Sequence, residues 1–245
     1  GTLRYITRCC TEGNRVHIPD GLINAGTSLA AGGVAAGGLG VAVKKAAAYL
    51  EDRQVPLAGL AAAFIFAVQM LNFPIAGGTS GHLLGGVLAA VLVGPWAGAI
   101  CVAVVLLVQA LFADGGLTAL GLNILNMALL TSLGGYALFA GLRGLLPTTK
   151  VAIVAASGIV AGVSVVASSM AFTLEYALGG NGSASVATVG AAMVGIHALI
   201  GICEGLITAA TVGAVLNVRP DLVYGAPGPI VPFEGRAPQP TGGKA

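Results

Sequence analysis

The sequence predicts an all-α integral membrane protein, a bundle of about seven transmembrane helices with the N-terminus outside and the C-terminus in the cytoplasm. Three observations carry this reading. Of the 245 residues, 56% are hydrophobic and only 8% are charged, whereas a soluble domain carries about a quarter charged residues. The apolar residues fall into runs suited to a hydrocarbon layer about 30 Å thick. Basic residues recur only at alternate connections between those runs, which sets an orientation by the positive-inside rule.

The predicted spans are 22–43, 57–72, 82–94, 97–113, 120–141, 151–173 and 189–216. Gly94-Pro95 separates the third from the fourth, because together they are too long for one span and Pro interrupts a helix. Lys44, Lys45 and Arg53 follow the first span, Arg143 and Lys150 the fifth, and Arg219, Arg236 and Lys244 the seventh. Connections 73–81, 114–119 and 174–188 hold no Lys or Arg, only the acids Asp114 and Glu175. Merging 82–113 into one span would put Arg143 and Lys150 opposite the Lys44 group, so the charges favour seven. The 39 glycines suit closely packed transmembrane helices. Cys101 and Cys203 lie in apolar runs and Cys9 and Cys10 are adjacent, which makes neither a disulfide framework nor a cysteine metal site.

Three regions follow: 1–15, 16–224 as the transmembrane domain, and a Pro/Gly-rich flexible cytoplasmic tail, 225–245. Residues 1–15 place Arg4, Arg8 and Arg15 on the side otherwise free of basic residues, and lack the apolar core of a signal peptide. They are read as a non-native extension from a misassigned start. Val16 is then the first residue, translated as Met from a GUG codon.

That start gives the segment RVHIPDG (15–21) a chemistry. With His17 as second residue, the terminal amine at Val16, the next main-chain nitrogen and the imidazole close two fused chelate rings. The amide nitrogen loses its proton only to a strongly polarising ion such as Ni(II), Cu(II) or Co(II), and such a tetragonal nitrogen set suits Cu(II) or Ni(II). A fourth nitrogen is available from His82, in NFPIAGGTSGHLLGG (72–86), on the same outer side. Asn72, Thr79 and Ser80 surround it as candidates for the cavity or for orienting the ligands. His197 and Glu204 lie seven residues apart on one face of the last span. Ionisable groups at that depth are costly. The reading is that they pair with each other or with Asn123, Asn126 or Gln109, and that His197 lies too deep to reach the outer mouth. In FADGGLTALGLNILNM (112–127), Asp114 caps the following helix or accepts an imidazole N–H, with capping preferred, and Asp20 faces the same choice.

HIPDG, NFPIAGGTSGHLLGG, FADGGLTALGLNILNM and HALIGICEGLIT together resemble the CbiM/NikM family over residues 16–224. Members are substrate-binding membrane subunits of energy-coupling-factor (ECF) transporters for cobalt and nickel. The resemblance implies one Co2+ or Ni2+ held by four near-planar nitrogens: the amine at position 16, the main-chain nitrogen and imidazole of His17, and His82. It implies partners as well: a small CbiN/NikN-type membrane subunit, a coupling transmembrane subunit and a cytoplasmic ATPase pair. The ion is cargo, and no other cofactor is expected. The function expected is capture for an ATP-driven importer in the bacterial plasma membrane, supplying cobalamin biosynthesis or, alternatively, nickel for urease or hydrogenase. The chain has no G-x-x-x-x-G-K-[ST] phosphate loop of its own. An intramembrane metallohydrolase is disfavoured by the lack of H-E-x-x-H and of an open coordination position, and a channel by the scarcity of acids in the outer connections.

Overall fold

The computed structural model describes residues 17–50, 52–75, 79–112 and 114–226, with the backbone alone at 53, 72–75, 79 and 80. Residues 1–16, including Val16, and residues 227–245 of the tail lie outside the described residues.

Seven helices are present among the described residues. They are α1 (Ala25–Ala46), α2 (Val55–Gln69), α3 (Gly86–Val93), α4 (Pro95–Leu111), α5 (Leu120–Leu145), α6 (Lys150–Gly179) and α7 (Val186–Val218). Four of them, α1, α5, α6 and α7, are long and apolar enough to cross a membrane. A short antiparallel hairpin, β1 (Asn72–Ile75) and β2 (Thr79–His82), pairs Asn72 with His82 and stands between α2 and α3.

The predicted third span, 82–94, is corrected. Its helix has eight residues, about 12 Å at 1.5 Å per residue, and cannot cross about 30 Å of hydrocarbon. All eight are buried, so α3 is a half-helix packed in protein. Irregular backbone at membrane depth is tolerated in such a place. The break at Gly94-Pro95 holds, and the chain folds back there. A Cβ on Gly98 of α4 would come within 2.7 Å of Ala90 N in α3. Tyr49 closes this turn: its hydroxyl donates to Val93 O at 3.3 Å and accepts from Ala97 N at 3.0 Å.

Helices α6 and α7 form the tightest pair. Gly158 faces Gly205 and Gly162 faces Gly201, and a Cβ on any of them would lie 2.7–2.8 Å from the opposing carbonyl oxygen. Two G-x-x-x-G faces therefore meet backbone to backbone, the arrangement that substitutes for hydrophobic driving force between helices in lipid.

The two ends of the bundle differ in charge. The start of α1 pairs with the end of α6 through Ile23 and Gly180, and the turn before α5 closes on Ile18 through Gly116 N. Lys44 and Lys45 end α1, Arg143 lies in the last turn of α5, Lys150 starts α6 and Arg219 follows α7. Residues Tyr224 and Gly225 dock on α3 by hydrogen bonds to Leu92 O and Val91 O, so part of the segment assigned to the tail is packed.

Candidate metal centre

The strand β2 ends at His82, and the three residues after it are held from several sides. Glu204 of α7, fully buried in the bundle, accepts the Leu84 N–H at 2.7 Å and the Gly85 N–H at 2.6 Å. Gln69, at the end of α2, donates to Leu84 O at 2.8 Å. Gly85 has φ +78°, and a Cβ there would meet Ile65 at 2.7 Å. A carboxylate capping two main-chain donors ahead of α3 complements the positive end of that helix. The expected pairing of Glu204 with His197 is corrected, because backbone donors satisfy the carboxylate first.

His17 reaches the same point from the chain's other end. Its Nδ1 lies 3.0 Å from His82 Nε2, and its Nε2 lies 2.8 Å from Gln109 Oε1 on α4. The rings stand nearly perpendicular, with centroids 4.6 Å apart. The Ile18 N–H donates to Asn123 Oδ1 at 3.2 Å. Asp20 Oδ1 accepts from Thr118 N and Oγ1 at 2.8 and 2.5 Å, so Asp20 pins the turn ahead of α5. Gly115, with φ +123°, lets that turn close on the His17 ring, since a Cβ would lie 3.0 Å from His17 Cβ. Asp114 is not the cap of α5: the N-cap is Ala119, without a side-chain bond. Asp114 instead acts on His17 through its charge.

The protonation of the two imidazoles follows from their partners. Leu83 O can only accept, so His82 carries its proton on Nδ1, 2.9 Å away, and presents Nε2 unprotonated. Burial pulls His17 below the usual histidine value, opposed by its bond to Gln109 and by Asp114. A neutral His17 places at most one proton in the contact between the rings. When Nε2–H points to Gln109 Oε1, two lone pairs face each other; with the Gln109 amide rotated, His17 Nδ1 donates to His82. Two imidazole nitrogens at a right angle about an ion, each about 2.0–2.1 Å away, are about 2.9 Å apart. The observed 3.0 Å matches that spacing.

Around this contact lies a cavity with about 490 Å³ of empty space, mouth included, whose lining includes His17, His82, Asn123, Asn126, Met193 and His197. The prediction that His197 lies too deep is corrected. Because α3 is a half-helix, His82 starts within the bundle, and His197 of α7 lines the same cavity as His17 and His82. His197 Nδ1 donates to Met193 O at 2.7 Å. Asn126 sits in the π-wound middle of α5, Ile124–Gly134, a winding that recurs at functional sites. Its Nδ2 donates to Glu175 Oε2 at 2.7 Å. Glu175, read from the sequence as a loop acid, is a buried residue of α6. Sequence reasoning placed no role on Asn126 beyond pairing and none on Glu175; a lone amide and a lone acid in apolar helices were the available signal. Side chains of Asn72, Thr79 and Ser80 lie outside the described residues. No group of three or more His, Cys, Asp or Glu gathers to hold an ion among the described residues.

The fold and this cavity define a multi-pass membrane component of metal transport. A solved transition metal transporter, truncated, shares the fold with TM-score 0.75 and 32% identity, covering 82% of this chain and 98% of that one. Residues 17–222 match the family model described as "Cobalt uptake substrate-specific transmembrane region". The chain belongs to that family, CbiM. It is 38% identical over 213 residues to a Haloquadratum walsbyi protein named for metal transport, covering 85% of this chain and 94% of that protein. It is 42% identical over 131 residues to the fused nickel transport protein NikMN of Rhodobacter capsulatus, covering 53% of this chain and 38% of the fused protein.

Proposed function

We propose that this chain is the substrate-capture subunit of an ATP-driven ECF importer for Ni2+ or Co2+, binding the ion on the outer face and delivering it inward. The observation that carries the proposal is the approach of His17 Nδ1 to within 3.0 Å of His82 Nε2 across 65 residues of sequence. The pair supplies two of four in-plane nitrogens. The amine at position 16, in a protein beginning there, and the main-chain nitrogen of His17 supply the other two. Four nitrogens in a tetragonal set favour Ni(II) over Co(II) in intrinsic affinity; cobalt delivered to cobalamin biosynthesis, or nickel to urease or hydrogenase, then depends on supply.

The outer face in this reading is the end carrying His17, because Lys44, Lys45, Arg143, Lys150 and Arg219 gather at the opposite end. Partners are a small CbiN/NikN-type subunit, a coupling membrane subunit and an ATPase pair. The fused NikMN relative supports the first of these. The test is Ni(II) and Co(II) accumulation by cells expressing the chain with those partners. His17→Ala and His82→Ala should each reduce accumulation to background; accumulation by both variants at the wild-type rate would reject the proposal.

A further inference from the structure

The four-nitrogen site leaves a third imidazole unused on the same cavity. His197 is 6% exposed and its Nδ1–H is committed to Met193 O at 2.7 Å. That bond fixes the tautomer, so Nε2 is the unprotonated nitrogen. It has no hydrogen-bond partner among the described residues, and His197 lines the cavity. A main-chain carbonyl orienting one ring nitrogen so that the other can ligate is the device that metal sites use for histidine.

A second donor is oriented in the same way. In its ionised form Glu175 accepts from Asn126 Nδ2, at 2.7 Å. That fixes the amide and leaves Oδ1 as the atom available to the cavity that Asn126 lines. A buried carboxylate stands directly behind it.

We propose that this wall, formed by α5, α6 and α7, is a second, weaker station for the transported divalent ion, with His197 Nε2 and Asn126 Oδ1 as its protein ligands and Glu175 holding the amide and offsetting the charge. The proposal rests on the outer four-nitrogen reading, because a complete outer plane is what leaves His197 for a separate position. Two protein donors, with water completing the shell, bind less tightly than four nitrogens. An ion must be held well enough to enter and weakly enough to leave, and a two-donor station beside the four-nitrogen plane meets that requirement.

The test is a calorimetric titration with Ni(II) of the detergent-solubilised protein beginning Met-His at position 16. Two events are expected, one tight and one much weaker, because the second station has fewer nitrogen donors and no chelate ring. His82→Ala should remove the tight event and leave the weak one. His197→Gln keeps a polar side chain on α7 without the imidazole; it should remove the weak event and leave the tight affinity within about threefold. Glu175→Gln should loosen the weak event about tenfold, with the thermal midpoint of each variant reporting its folding. Survival of both events in a folded His197→Gln protein would overturn the second station. So would loss of the tight event in that variant, which would make His197 a ligand of the outer ion. A tight event that persists in His82→Ala would instead break the outer assignment.

Discussion

Glu204 accepts the main-chain N–H of Leu84 at 2.7 Å from 120 residues away in sequence, and that one contact fixes the chain two residues beyond His82. Leu84 is held at both ends of its peptide groups, by Glu204 at its nitrogen and by Gln69 at its oxygen. Glu204→Gln leaves one acceptor facing two donors, Leu84 N and Gly85 N. A buried donor without a partner costs about 1–3 kcal/mol, and loosened orientation of a ligand costs about 10–100-fold in metal affinity. Chemical unfolding and Ni(II) titration of this variant should show both losses. An unchanged affinity would remove Glu204 from the orientation of His82.

The glycine seam between α6 and α7 predicts a position-dependent cost. Gly201→Val would push a side chain against Gly162 O, 2.7 Å from the new Cβ, and should destabilise by about 3 kcal/mol or more. Gly213→Ala meets only Val154 at 3.5 Å, an ordinary contact, and should stabilise slightly, by up to about 1 kcal/mol, through helix propensity. Thermal unfolding of the two variants side by side checks the difference.

Acid should weaken both the fold and the site. Burial lowers the His17 value from 6.5. As pH falls below 6.5 the unfolded chain takes up a proton that folded His17 refuses, so stability declines with falling pH until the folded value is passed. Metal binding needs both imidazoles unprotonated where they ligate, so affinity should fall in the same direction and binding should release protons. Titrations in buffers of different ionisation enthalpy measure the release.

Tyr49 tests the far end of the bundle. Its hydroxyl bridges Val93 O and Ala97 N across the Gly94-Pro95 break. Tyr49→Phe removes both bonds and should cost about 1–3 kcal/mol by stranding buried polar groups. Ni(II) affinity should be retained, since neither His17 nor His82 contacts this turn.

The helical bundle was legible because hydropathy and charge act through the membrane, which imposes length and orientation on every span. Gly94-Pro95 was legible as a break for the same reason that proline ends any helix. The half-helix was not. A run buried in protein is as apolar as one buried in lipid, so 82–94 reads as a span until the backbone shows that only Gly86–Val93 is helical. His197 reads as too deep for the same reason, because a full-length third span would set His82 at the outer surface, away from the middle of α7. His17 and His82 were legible as partners because histidine is scarce in this chain and both fall on one side. Glu204 was visible as a costly buried acid, but its partners are main-chain groups, which carry no sequence signal.

The most direct measurement compares Ni(II) and Co(II) binding by a protein beginning Met-His at position 16 with binding by the full 245-residue chain, in detergent at fixed pH. The account predicts tight binding by the shorter form alone, abolished by His17→Ala and by His82→Ala, because only there is the amine at position 16 a ligand. Equal affinity in the two forms would contradict it and would require the ion to be held without that amine.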